Sequence, residues 1–392
     1  HELLKVRVGA RGDVGAHGLT GVAVVAADAH LEQFVRVQRA VHLGDQGIGD
    51  TGVAHLDERF ERVRAGFQVR AFARVECHSH DLIVSGRSVE CGSMPTLRPV
   101  RLGAPIFLGS QQPDAGPATS TRGEDPVLLA RSLRALGFSA CQAPDVDAAD
   151  AAGIRAIEHA FAAEDVVIAE LWAFGHNMMA RDAAERRAAL DAMSRALALA
   201  DDMGARCAVN IAGFLGPTAA NRAHPDNLTR VAFDLTVENV RAVIDAVRPR
   251  RAKFAIETMA WILPDGPDVY LDLIRAVDRP AFAAHFDPVN MINSPTRYFG
   301  NRAFIEACLT TLGPHIVSCH GKDTRLAGGL TMHINEGRPG TGILDWKALL
   351  RGVAALPQQP PILFEHQPSK ARYLDARDYV RTQAAEAGVM FA

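Results

Sequence analysis

The chain has 392 residues, 48% of them hydrophobic and 22% charged, an ordinary balance for a globular protein with a real core. With 42 basic against 45 acidic residues the formal net charge is −3, which leaves no electrostatic footprint for nucleic acid or an anionic membrane surface. No run approaches the roughly 18 apolar residues of a membrane span, and the first residues lack a basic start followed by an apolar stretch; a cytoplasmic protein without a secretory leader is expected.

Residues 1–93 contain no Met, Pro, Asn, Trp or Tyr and hold 7 of the 15 histidines, whereas all 21 prolines follow Met94. This shift marks 1–93 as an N-terminal extension, expected to be disordered or foreign to the natural protein, as from a misplaced start upstream of Met94. The alternative is an accessory domain, since a run such as GVAVVAADAHLEQFVRV can pack as strand and helix. His78 and His80, in C-H-S-H, read as a chance pair in a His-rich segment rather than a metal site. The six cysteines (Cys77, Cys91, Cys141, Cys207, Cys308 and Cys319) form no C-x-x-C pair and read as free thiols of a reducing compartment, packed as small hydrophobes.

From Met94 onward short apolar runs alternate with amphipathic helical stretches, the pattern of parallel β/α architecture. Strands are expected at 105–109, 139–143, 166–172, 207–211, 253–258, 282–287, 316–320 and 362–365. Helices are expected between and after them, at 125–136, 150–163, 182–203, 230–247, 267–277, 302–312, 345–355 and 375–387. Gly137, Gly204 and Gly313 fall just past helix ends, where a left-handed residue is wanted. Eight strand–helix units in about 300 residues predict an α/β fold closed as a (β/α)8 TIM barrel over 94–392 rather than an open doubly wound sheet. GSQQPDAG, after the expected first strand, has neither the dinucleotide-binding nor the Walker glycine spacing.

Barrel enzymes carry their chemistry where strands end. AKFAIET places Glu257 at the end of the fifth expected strand, and FAAHFD, HIVSCH and PILFEH place Asp287, His320 and Glu365 at the ends of the sixth, seventh and eighth. A single polar residue at a strand end is commonly structural. Three carboxylates and an imidazole at corresponding ends of consecutive strands would repel one another unless a cation neutralised them. Oxygen-rich ligation with one nitrogen suits Mn2+ first, with Mg2+, Co2+ and Zn2+ as alternatives.

These residues, with HFDPVN around Asp287, CHGKD around His320 and RPGTGILDW from Arg338 to Trp346, resemble the xylose isomerase-like barrels, the sugar phosphate isomerases and epimerases. The resemblance covers about 101–389. It implies a divalent metal on Glu257, Asp287, His320 and Glu365, and proton transfer beside a carbonyl through an enediolate. Glu257 and Glu365 are then the acid–base pair as well as ligands. Two positions depart from the ketose 3-epimerases of this group, which carry a further Glu where Trp261 and its apolar neighbours lie, and a His where Asn290 stands.

Around the four ligands, Trp172 and Trp261 are candidates to line a sugar pocket, with core packing the alternative. His176, after the third strand, is a candidate contact for a substrate hydroxyl. His285 shares the inward parity of Asp287 and reads as a hydrogen-bonded histidine beside the ligands. Lys322 and Arg325 are candidates for an anionic or hydroxyl group, and His333 and Glu336 for a long loop closing over the site. Arg338–Gly342 reads as a Pro/Gly turn. The expected partner is a sugar or keto-sugar; a homo-oligomer is compatible with the sequence. Rival readings are a lyase or C-glycoside-cleaving subunit, an endonuclease IV-like DNA repair enzyme and a non-catalytic metal-binding barrel. The 31 basic and 33 acidic residues after Met94 disfavour the DNA enzyme, and Lys253, at the start of its strand, disfavours a Schiff-base aldolase.

Overall fold

Short apolar runs of Val, Ile, Ala and Phe, each bounded by polar or glycine-containing turns, become strands because both faces of a parallel sheet are covered. The computed structural model describes residues 82–84, 87–89, 96–218 and 222–392. The chain divides into two units, His1–Met94 and Pro95–Ala392. In the first, the described residues pair as an antiparallel hairpin, Leu82–Val84 with Arg87–Val89. Cys77, His78, His80 and Cys91 lie outside the described residues.

The second unit is a closed barrel of eight parallel strands. They are β1 (Leu102–Ala104), β2 (Ala140–Gln142), β3 (Val167–Trp172), β4 (Cys207–Ile211), β5 (Lys253–Glu257), β6 (Phe282–Phe286), β7 (Ile316–Gly321) and β8 (Ile362–Phe364). Strand β8 pairs with both β7 and β1, which closes the sheet and removes its edges. The outer helices are α1 (Pro126–Ala135), α2 (Ala151–Ala163), α3 (Ala183–Asp202), α4 (Arg230–Val247), α5 (Pro267–Val277), α6 (Asn301–Leu312), α7 (Trp346–Ala354) and α8 (Lys370–Ala387). Asp125, Asp182, Thr229 and Asp345 cap α1, α3, α4 and α7 by accepting from first-turn backbone N–H groups. Among the described residues no helix is long and apolar enough to cross a membrane.

The main core lies between strands and helices, where Phe254, Ile256, Phe286, Trp346 and Phe364 are buried. Inside the barrel smaller residues pack in two groups, Cys207, Val209, Ala255, Ala283 and Val317 in one and Ala140, Ala169 and Leu363 in the other. Small side chains keep the lumen narrow, and Glu257, two positions beyond Ala255 in β5, emerges on the same inward face at the mouth. The four described cysteines are free and buried, as expected of packed thiols.

Three expectations are corrected. The run at 105–109 is not the first strand: β1 precedes it, and Ile106–Gly109 is a buried 3-10 turn following Pro105. A short apolar run packs equally well as strand or turn, and Pro105 brings no N–H for a ladder. The segment after β7 is not an open loop, because Asp323–Leu326 pairs with Ile334–Gly337 as an antiparallel hairpin. Gly313 is right-handed, with φ −41°, because the chain runs directly into the 3-10 turn Gly313–His315; Gly137 and Gly204 are left-handed as expected.

Candidate metal centre

Each expected ligand reaches the mouth through a local device. Glu257 ends β5, and its inward parity follows from Ala255. Asp287 follows β6 and caps the short helix Pro288–Met291, Oδ1 accepting from Val289 N at 2.9 Å and Asn290 N at 3.1 Å. That cap leaves Oδ2 to face His320 Nδ1 and Lys322 Nζ. The motif DPVN is therefore a strand end and a helix start in one. His320 lies within β7, and Glu365 directly follows β8.

The four meet. His320 Nδ1 stands 2.9 Å from Glu257 Oε1, 3.1 Å from Glu365 Oε2 and 3.9 Å from Asp287 Oδ2. All four are buried, and their donor atoms lie within 4.8 Å of one another. Neighbouring ligands of an octahedral ion at about 2.1 Å stand about 3 Å apart. Three carboxylates and one imidazole nitrogen at this spacing are thus a donor set that can hold one divalent cation.

Lys322, also buried, balances part of the charge. Its Nζ is 2.7 Å from Asp287 Oδ2, in contact with Glu365 Oε1, and donates to Asn290 Oδ1 at 2.9 Å. Asn290 in turn donates to Glu257 Oε1 at 3.1 Å and to the Thr258 carbonyl at 3.0 Å. Burial pushes the Asp287 carboxyl up to about 6, against the pull of Lys322 and with Glu365 and Glu257 adding to the rise. At Glu365 burial acts in the same direction, but His320 and Lys322 outweigh it and hold the carboxyl well below its ordinary range. For the cations burial opposes charge and the carboxylates win: Glu365, Glu170 and Glu257 raise His320, while Asp287, Glu365 and Glu257 raise Lys322.

A cavity of about 300 Å3 opens at Glu365, with Lys322, Arg325, Glu336, His366 and Arg372 also in its wall. Glu336, on the second strand of the hairpin, reaches Lys322 at 3.4 Å and accepts from His366 Nδ1 at 3.0 Å. That bond holds the Glu336 carboxyl below its ordinary range. His366 sits at a left-handed φ of 54°, with Nε2 3.5 Å from Glu365 Oε2. Asp323 fastens the hairpin to the RPGTG turn, accepting from Leu344 N at 3.0 Å and Gly340 N at 2.8 Å. A Cβ on Gly342 would stand 2.1 Å from the Thr324 carbonyl oxygen, so this turn packs too closely for a side chain.

Of the other expected site residues, Asn290, Lys322, Arg325 and Glu336 gather at the mouth. Trp172 is half-buried, its ring edge-on to His320 at 6.0 Å. His285 is wholly buried behind His320, ring centroids 4.2 Å apart, and is closed off from the cavity. Trp261 is half-buried against the core, and His176 is exposed after β3; neither is in the cavity wall. His333 is exposed in the hairpin turn, 3.1 Å from Thr331 Oγ1. Two residues of the site escape the sequence reading, His366 and the buried Glu170 of β3. For Glu170 a signal existed: a carboxylate inside VIAELW must find partners if that run is buried.

Among curated proteins none matches the sequence. Solved structures match the fold. An L-ribulose 3-epimerase is 15% identical over 74% of this chain and 96% of its own, with a TM-score of 0.54. A xylose isomerase-like TIM barrel protein from Mycobacterium smegmatis, in complex with magnesium, is 19% identical over 74% and 97%, with a TM-score of 0.51. The probable 3-DHS dehydratase AsbF of Bacillus anthracis is 14% identical over 72% and 98%, with a TM-score of 0.51. The sequence model of the xylose isomerase-like TIM barrel family matches residues 130–383. With that match over most of the barrel, and the closed eight-stranded sheet itself, the chain belongs to the xylose isomerase-like TIM barrel family.

Proposed function

We propose that this chain is a divalent-metal-dependent sugar isomerase or epimerase that moves a proton beside a carbonyl through an enediolate. The observation that carries the reading is the buried set Glu257, Asp287, His320 and Glu365, with its donors within 4.8 Å of one another. Family membership and the fold shared with an L-ribulose 3-epimerase support it. Manganese is the first candidate for three carboxylates and one imidazole; magnesium, bound in the Mycobacterium smegmatis relative, is the next.

Bound there, the cation supplies Lewis acidity to a substrate carbonyl and its neighbouring hydroxyl. Glu257 and Glu365 remove and return the proton, since a ligating carboxylate keeps a second oxygen. Lys322, pinned by Asp287, Glu365 and Asn290, sets a fixed positive charge where negative charge develops on the substrate. Arg325, Glu336 and His366 in the cavity wall meet substrate hydroxyls. Trp172 offers a flat apolar face to sugar C–H groups.

Trp261 and Asn290, where ketose 3-epimerases carry Glu and His, favour carrying a second reading, a lyase that ends the same proton abstraction in elimination. One experiment separates them. The manganese-loaded full chain is incubated in D2O with ketoses, keto-sugars and keto-glycosides. Deuterium beside the carbonyl of recovered or epimerised sugar supports the isomerase, and a released aglycone or an unsaturated product assigns the lyase. Absence of deuterium and of elimination from every candidate, at full metal occupancy, contradicts both.

A further inference from the structure

We propose that Glu170 is the positioning residue of this centre: it accepts a hydrogen bond from the Nε2–H of His320 and keeps the proton there, so that Nδ1, which faces Glu257 and Glu365, is the nitrogen that offers its lone pair when a metal binds. The inference rests on the metal reading above and assigns a role to a residue outside the four ligands.

Glu170 lies in the middle of β3, is wholly buried, and receives two donors on each oxygen. Oε1 takes His285 Nε2 at 2.9 Å and the Ser318 hydroxyl; Oε2 takes Trp172 Nε1 at 2.7 Å and His320 Nε2 at 3.1 Å. A buried carboxylate is costly unless its lone pairs are filled, and here they are filled without Arg or Lys. The opposite nitrogen of His320, Nδ1, is the atom that meets Glu257 and Glu365. A ligating imidazole has one lone pair to give, and the partner of its other nitrogen decides which one. Glu170 also holds the indole N–H of Trp172, so His320 and the ring edge-on to it share one anchor.

The backbone is irregular where this contact is made. Between β2 and β3, Cys141 pairs with Ile168 but Gln142 with Glu170, leaving Ala169 as an extra residue. Between β6 and β7, Ala284 pairs with Ile316 but His285 with Ser318, leaving Val317 extra. Each bulge reverses the alternation, and together they turn Glu170 and Ser318 inward to meet. A second ion among Glu170, His285 and His320 is a poorer reading, because Ser318 and Trp172 already occupy the Glu170 oxygens and the histidines contact them directly.

The test titrates the full-length wild type and Glu170→Gln with Mn2+ by calorimetry, with the metal-free thermal midpoint measured alongside. An amide keeps one acceptor oxygen but sets an NH2 against two of the four donors in either orientation and loses the charge that holds the Nε2 proton, so Mn2+ affinity is expected to fall about 10–100-fold. A variant with a lowered midpoint but wild-type Mn2+ affinity would make Glu170 merely structural and overturn the proposal, while leaving the metal reading intact. A wild type that binds no Mn2+ overturns both. If Glu170→Gln does not fold, 15N NMR of histidine-labelled wild type with Mg2+ decides: His320 with Nε2 protonated and Nδ1 bare supports the proposal, and the reverse tautomer refutes it.

Discussion

Strand β5 runs between two buried carboxylates that are handled in opposite ways. Where it enters the barrel, Asp201 at the end of α3 accepts from the backbone N–H groups of Arg250 at 3.0 Å, Arg251 at 2.6 Å and Ala252 at 2.8 Å. Burial pushes the Asp201 carboxyl up, yet those N–H groups outweigh it and hold the pKa below its ordinary value. Where β5 leaves, Glu257 faces His320, with Glu365 and Asp287 beside it, so the mouth concentrates like charge. The lower end is satisfied by backbone and serves stability. The upper end is short of positive charge even with Lys322 and His320, and that deficit is what a divalent cation would fill.

The largest effects should come from the mouth. Glu365→Gln and Glu257→Gln are each expected to lower deuterium exchange into substrate by about 10^2–10^4-fold; exchange retained in either variant removes that residue from the acid–base pair. Lys322→Met leaves Asp287 and Glu365 without their ammonium partner and should cost the metal-free protein about 3–5 kcal/mol in urea unfolding. Added Mn2+ should narrow that gap. An equal loss with and without metal would show that Lys322 and the ion do not share the same carboxylates.

At the other end of β5, Asp201→Asn should cost about 2–3 kcal/mol by loss of charge-assisted hydrogen bonds, with Mn2+ affinity unchanged. Because the folded-state pKa is depressed, this contribution is full above the ordinary carboxylate pKa and disappears as pH falls through the folded value. The difference between wild type and variant should therefore close in acid; a gap that widens would reverse the assignment. The smallest effect belongs to the surface pair in which Arg279 contacts Asp245 at 2.7 and 2.8 Å. Asp245→Ala should lower the urea-unfolding midpoint least of these variants, and the loss should shrink further in high salt.

Much of the barrel is legible in the sequence because its strands are short apolar runs closed by a polar residue. Cys207–Ile211, Arg230–Val247 and Pro267–Val277 lie where their periodicity places them. The convergence of Glu257, Asp287, His320 and Glu365 is legible for the same reason, since equivalent strand ends in a closed barrel must meet. Glu170 is legible only as a carboxylate in need of buried partners, not as a neighbour of His320. Alternation counted from the inward Ala169 directs it outward, and the bulge that reverses it depends on pairing with β2, which one strand's sequence does not reveal. His366 escapes for a related reason: its approach to Glu336 depends on a left-handed turn and on a hairpin whose strands are short and of mixed burial.

The central claim is a metal on four named side chains, and anomalous diffraction at the manganese edge from Mn2+-loaded crystals of the full chain tests it most directly. A peak within bonding distance of Glu257, Asp287, Glu365 and His320 Nδ1 is the expected result. No peak there, or a peak confined to Glu336 and His366, would contradict the assignment.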